Sequence, residues 1–274
     1  MDGWDNCQEY AATHNLKFST DQNPKKCKTK CMAFLVKKRE LPNMMLCGNP
    51  LPWVERLLHL GYMASNVVDG GQVDMNQKAA KYIDKNCSIN QEFNFAHPLS
   101  RIALNKIYNC HFSGCQIWNL FSQGAEKFYG TYNRSVKVMA DLPYATHRYL
   151  IEPVSGQQHM STTVIRNFLN FISRVRQSPK PVLRQLYSIA KDDVRRTTTG
   201  CNLRNILLLT NLTSVDDLLP SMVEQISYKE IRPMDKWRVP LIKEVIDMKY
   251  GHVSPPDGWT LEEMEEILDF ACTQ

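Results

Sequence analysis

Apolar positions along the chain fall into two regimes that meet near Gly70-Gly71. Beyond that point they recur every three or four residues, the period of an amphipathic helix. This spacing predicts helices over 72–93, 98–110, 124–141, 160–177, 181–194, 200–209, 237–249 and 260–272. In the clearest of them, Ile165, Phe168, Leu169, Ile172 and Val175 form an apolar stripe, with Arg166, Asn170 and Arg174 opposite it. The final helix opens on Thr260 with Glu263, a capping-box pair, and has Leu261, Met264, Leu268 and Ala271 as its expected apolar stripe.

The first part reads differently. Residues 2–14 carry Trp4, Cys7, Tyr10 and Ala11 at helical spacing, and Asn15 is the expected stop. Ser19 to Pro24 is turn chemistry. Cys31 to Val36 has the length and content of a buried strand. Met44–Cys47 and Leu51–Val54 flank Gly48-Asn49, residues suited to a tight hairpin turn. Pro50 and Pro52 confine the second arm to an edge, and His59–Met63 is read as a further short strand. The expected fold class is mainly α with a small antiparallel β N-terminal part, an α+β chain.

Composition narrows the function. With 274 residues, 43% hydrophobic and 22% charged, the chain is neither collagenous, disordered nor a small disulfide scaffold. No apolar run approaches the ~20 residues of a membrane span, so no membrane partner is expected. The acidic start, Met1 to Asp5, does not read as a secretory signal. Nine cysteines are then expected reduced, in a cytoplasmic or nuclear protein, and the sequons at Asn86, Asn133 and Asn211 are chance matches.

The net charge of +5 hides an asymmetry: residues 212–274 hold 6 Lys/Arg and 13 Asp/Glu, leaving 27 and 15 for residues 1–211. A basic body points to a polyanion: RNA, DNA or an RNA–DNA duplex held through its phosphates. Two segments concentrate the charge. One contains Lys25, Lys26, Lys28 and Lys30; the other Arg166, Arg174, Arg184, Arg195 and Arg196, with Tyr187 interleaved. The competing reading is a pair of solvated faces. The acidic last helix is either a cap on the α part or a competitor for the basic face around Arg166, Arg174 and Arg184.

Catalytic chemistry is thinly represented. Cys27-x3-Cys31 and Cys110-His111-x3-Cys115 are close ligand pairs, but neither has zinc-knuckle spacing, and the cysteines read as core residues without a metal. Nucleophile elbows and phosphate-cradling glycine loops are absent. Asp192-Asp193 reads as local helix-face pairing, and Asp216-Asp217 as the acidic first turn of a helix.

A series of motifs resembles one family. Tyr10-Ala11-Ala12-Thr13-His14-Asn15-Leu16-Lys17-Phe18-Ser19-Thr20-Asp21, Asn23-Pro24 and Lys28-Thr29-Lys30-Cys31 come first. Leu46-Cys47-Gly48-Asn49-Pro50-Leu51-Pro52-Trp53-Val54 follows with His59-Leu60-Gly61. Then come Trp118-Asn119-Leu120-Phe121-Ser122, Asp141-Leu142-Pro143, Thr146-His147-Arg148-Tyr149-Leu150-Ile151-Glu152-Pro153 with Gly156, and Thr198-Thr199-Gly200-Cys201-Asn202-Leu203-Arg204. In this order they resemble the reverse transcriptases of non-LTR (LINE-type) retrotransposons, from just after the catalytic Y-A-D-D strand onward.

The resemblance implies a partial palm with its primer-grip hairpin over 1–68 and a thumb-like helical domain over 69–153. A basic helical connection over 154–254 and an acidic helix over 255–274 complete the expected division. It implies that Cys47, Gly48, Asn49, Pro50, Leu51, Pro52 and Trp53 would hold a primer end, with Lys28 beside the nucleotide site. The family's catalytic aspartates would lie before Met1, so the chain is expected to be no polymerase as it stands. No cofactor is expected for it; Mg²⁺ is implied only for full-length family members. Asn119 stands where the family usually has Asp, and Cys201 where it has Ser, as in a decaying copy. The expected function is residual template–primer binding; the alternative is a pseudogene-like product or scaffold without selected activity.

Overall fold

Cys47 (φ 53°) and Gly48 (φ 75°) are consecutive left-handed residues, and they turn the chain sharply enough to pair β1 (Met45–Leu46) with β2 (Asn49–Pro50). The turn therefore sits one residue earlier than Gly48-Asn49. In this register Leu46 is wholly buried, and a one-residue slip would turn it to solvent. The computed structural model describes residues 3–21, 23, 26–34, 41–66, 70–109, 112–193, 197–222 and 236–273. It divides into two compact units, Met1–Asp74 and Met75–Gln274.

In the first unit, α1 (Gly3–Thr13) ends as expected at left-handed Asn15, where the Leu16 amide bonds back to the Ala11 carbonyl at 2.8 Å. Of its expected apolar stripe, Tyr10 and Cys7 are exposed and Ala11 is buried, while the Trp4 side chain lies outside those described. His59–Met63 is not one strand but the tip of a second hairpin. There β3 (Arg56–His59) and β4 (Tyr62–Ser65) join through left-handed Leu60 and Gly61. The strand expected over Cys31–Val36 reduces to a single bridge between Cys31 and Trp53, with Phe34 exposed; residues 35 and 36 lie outside the described ones. Buried Cys27, Cys31, Leu46 and Leu51 make a small core, packed on by Phe18, Met44 and Trp53.

The second unit is helical. Beginning in α2 (Gly70–Glu92), it continues through α3 (Pro98–Asn109), α4 (Gln123–Met139), α5 (Arg148–Ser155) and α6 (Met160–Arg176). There follow α7 (Pro181–Asp192), α8 (Thr198–Thr210), α9 (Arg238–Lys249) and α10 (Leu261–Thr273). Periodicity anticipates all of these but α5, which is only eight residues long and contains Pro153. Asp216-Asp217 lies in a 3₁₀ turn, Val215–Asp217, rather than an α-helix. One continuous buried core runs from Met75 to Cys272, around Trp118, Phe168, Leu150, Leu203 and Ile242. The stripe expected over 160–177 forms its centre.

α10 begins with the expected capping box: the Thr260 amide donates to Glu263 at 2.8 Å, and the Glu263 amide to the Thr260 hydroxyl at 3.2 Å. Met264, Leu268 and Ala271 are buried, but Leu261 is exposed and Cys272 completes the stripe instead. The helix packs on α9, where Lys249 meets Glu265 at 3.1 Å. α10 therefore packs as a cap on α9. α7 behaves differently: Val182 (64%), Leu186 (56%) and Ile189 (51%) lie on its exposed side, and only Ala190 is buried.

The first unit thus rests on two separate two-stranded hairpins and a four-residue buried cluster, below the three strands that independent stability generally requires. Residues 1–74 expressed alone are expected to melt without cooperativity, whereas 75–274 alone give one sharp transition. Differential scanning calorimetry of the two fragments measures this, and a sharp transition from 1–74 would refute it.

Candidate nucleic-acid interface

Backbone hydrogen bonds join the lysine segment to the arm of the first hairpin. The Cys31 amide donates to the Pro52 carbonyl at 3.0 Å, and the Val54 amide to the Cys31 carbonyl at 2.9 Å. Beneath Lys28, the Cys27 thiol is buried and donates to the Thr29 carbonyl at 2.9 Å. Lys26 and Lys28 are exposed and Lys30 half-buried; Lys25 lies outside the described residues. On the hairpin, Asn49 donates to the Thr20 hydroxyl at 3.0 Å and the Trp53 indole to the Pro42 carbonyl at 2.9 Å. Cys47 and Pro50 are exposed, Pro52 and Trp53 partly so, and Leu51 is buried. The described lysines and the expected hairpin belong to one structural piece.

The arginines are less convergent. Arg166 and Arg174 share a face of α6, about 12 Å apart along its axis. Arg166 is half-buried and donates to Gln158 at 2.7 Å, while Arg174 is exposed. Arg184 is exposed on α7, and Arg195 and Arg196 lie outside the described residues. The contact that ties α6 to α7 uses Arg176, which lies 5.9 Å from the Tyr187 ring and pairs with Asp216 at 3.5 Å. Lys191 also pairs with Asp216, and its hydrogen bond is the main cause holding that carboxyl below the usual range. These charges are spent internally.

A cation cluster that sequence reasoning missed lies on α4. Lys127, Arg134 and Lys137 fall at helical spacing on one face, beside open Gly130. Tyr144, 72% exposed, sits among them: Arg134 donates to its hydroxyl at 2.9 Å and Lys137 to its carbonyl at 2.8 Å. The Arg134 guanidinium is 5.3 Å from the ring centre. None of the three cations pairs with a carboxylate among the described residues. A helical wheel would have found the spacing, but only the fold brings Tyr144 to it.

The motifs of the helical unit, by contrast, are structural knots. Asn202, wholly buried, donates to the Trp118 carbonyl at 2.7 Å and accepts the Leu120 amide at 3.0 Å. It thereby ties Thr198–Arg204 to Trp118–Ser122. Ser122 caps α4 by accepting the Ala125 amide, and Thr197 caps α8 by accepting that of Gly200. Asn119 accepts the Phe121 amide at 3.3 Å, a contact Asp could also make. Asp141, itself left-handed, receives buried Arg101 at 3.1 Å and the Tyr250 hydroxyl.

His159 is a further knot. Arg148 reaches its Nε2 at 2.8 Å, and its Nδ1 lies 2.6 Å from the Ser161 hydroxyl. The Ser161 amide also donates to Nδ1, at 3.2 Å, so the ring caps the start of α6. Burial, and then the Arg148 charge, push the imidazole down to about 3.

The chain matches no protein-family model, no curated protein and no solved structure.

Two outcomes follow from these knots. Asn202→Leu leaves a buried amide and carbonyl unsatisfied and should cost about 2–5 kcal/mol, whereas Asn119→Asp should stay within about 0.5 kcal/mol of the parent; urea unfolding measures both. An unfolded chain lets His159 protonate near pH 6.5, but the folded chain resists down to about 3. Its contribution is therefore complete above pH 6.5 and lost as pH falls, by at most about 1.4 kcal/mol per unit. Unfolding titrations between pH 6.5 and 5 should show this slope, and His159→Asn should flatten it.

Proposed function

We propose that the protein binds nucleic acid through phosphate contacts, as a diverged relative of the palm end, thumb and connection of non-LTR retrotransposon reverse transcriptases. The observation that carries the binding reading is the cluster of Lys127, Arg134 and Lys137 around exposed Tyr144, three cations that pair with no carboxylate among the described residues, beside an accessible ring. Such a surface suits a phosphate backbone with a base or sugar against the tyrosine. The exposed lysines Lys26 and Lys28, on the segment bonded to the hairpin, add a second contact of the same kind. The family part of the reading rests on the ordered motifs, two of which, Trp118–Ser122 and Thr198–Arg204, are joined by buried hydrogen bonds.

Binding without nucleotidyl transfer is the activity proposed. Two-metal catalysis uses carboxylates that hold two ions about 3.5–4 Å apart. Here Asp216 is engaged by Arg176 and Lys191, and Asp192 accepts from Ser188 at 3.2 Å.

Salt dependence tests the proposal. The logarithm of the association constant for an RNA–DNA duplex should fall linearly with the logarithm of salt concentration. Joint replacement of Lys127, Arg134 and Lys137 by Gln should reduce the slope by about 2–3. An unchanged slope would remove the α4 face from the interface. A chain that binds no polyanion at low salt would favour the scaffold reading.

A further inference from the structure

Arg166, an expected nucleic-acid contact, also borders a cavity. A space of about 350 Å³ opens between α2, α3, α4 and α6, at the lower end of small-ligand sites. Its walls are aromatic: Tyr82 and Tyr132 stack at 5.6 Å and 30°, with Phe112 6.2 Å from Tyr82. Met160 adds a polarizable thioether to the wall. The tyrosine hydroxyls are engaged, Tyr132 donating to Gln157 at 2.9 Å and Tyr82 accepting from Asn105 at 3.2 Å. Both tyrosines line the cavity from largely buried positions, Tyr82 2% and Tyr132 8% exposed, and burial pushes Tyr82 up to about 12.

The rim is of opposite character. Lys106 and Arg166 border the opening, with Lys106 exposed and Arg166 fixed by Gln158 at 2.7 Å. Gln157 is likewise held in place, donating to the Ile102 carbonyl at 2.7 Å. A cavity with aromatic walls, fixed side-chain amides and two rim cations matches a flat heteroaromatic ring that carries a phosphate. The amides offer donors and acceptors to a base edge, the rings offer stacking, and the cations meet the phosphate. An unpaired base can swing out of a strand into such a space, whereas a base inside a duplex cannot enter without being unstacked.

We propose that the cavity bordered by Lys106 and Arg166 receives a nucleobase with its phosphate, so that the protein prefers single strands with accessible bases. The inference rests on the nucleic-acid-binding reading above and gives it a site that recognises the base.

A twelve-nucleotide oligo(A) and an abasic strand of equal length and charge separate base recognition from backbone attraction. Oligo(A) should bind about 10-fold tighter, the gain of roughly one stacked base. Thr163→Trp, which fills the cavity, should abolish that difference and leave the abasic affinity unchanged. The unaltered protein gives a second readout: a ¹³C-labelled Met160 methyl should shift with oligo(A) and not with the abasic strand. Adenosine monophosphate added alone separates the sources, since the same shift from it assigns the site to a free nucleotide as well as to a strand. Equal binding of both strands with an unmoved Met160 would overturn the cavity proposal and leave phosphate binding standing. Failure of either strand to bind at low salt would overturn both.

Discussion

The side-chain amide of Asn202 carries two buried hydrogen bonds at once, to the carbonyl of Trp118 and from the amide of Leu120. Each of those backbone groups lies in an irregular stretch between helices, where no ladder could satisfy it. With its position fixed, Trp118 meets Phe128 edge-on at 5.7 Å, and Phe128 meets Tyr82 in the same way at 6.4 Å. The Leu120 carbonyl then accepts from Tyr129, and Ser122 starts α4 two residues further on. α4 in turn carries Lys127, Arg134 and Lys137 on its outer face. The exposed cations are placed by a neutral, buried amide a long way down the sequence.

This arrangement separates two duties that a motif comparison merges. In the helical unit, residues that carry the family resemblance, such as Trp118, Ser122, Asp141, Gly200 and Asn202, are engaged in packing, capping or buried pairing. Lys127, Arg134 and Lys137 lie outside those motifs, on one face of α4. On α7, Val182, Leu186 and Ile189 are still patterned as a buried stripe yet face outward.

In the helical unit outside α7, helices were legible where a stripe of apolar residues exceeded two turns, because burial of that stripe decides the structure. α5 escaped because eight residues with Pro153 give too short a period, and it is closed only by left-handed Gly156. The first hairpin was legible in kind but not in register: Gly48-Asn49 suits the turn, yet Leu46 must face inward, and that moves the turn to Cys47-Gly48. Of the candidate site, the lysine segment could be read as charge, but its bonding to Pro52 and Val54 could not. The α6 arginines could be placed on a face, whereas Arg166's partner Gln158 and the cavity beside it depend on three other helices.

The central claim is that the Asn202 contact holds the helical unit as one cooperative body. Native-state hydrogen exchange at the Leu120 amide tests it most directly, since that proton is the one Asn202 accepts. Leu120 should exchange only when the whole unit opens, with an exchange free energy equal to that of global unfolding and the same denaturant dependence. Exchange at a much lower free energy, insensitive to denaturant, would show that the contact opens locally and that the core stands without it.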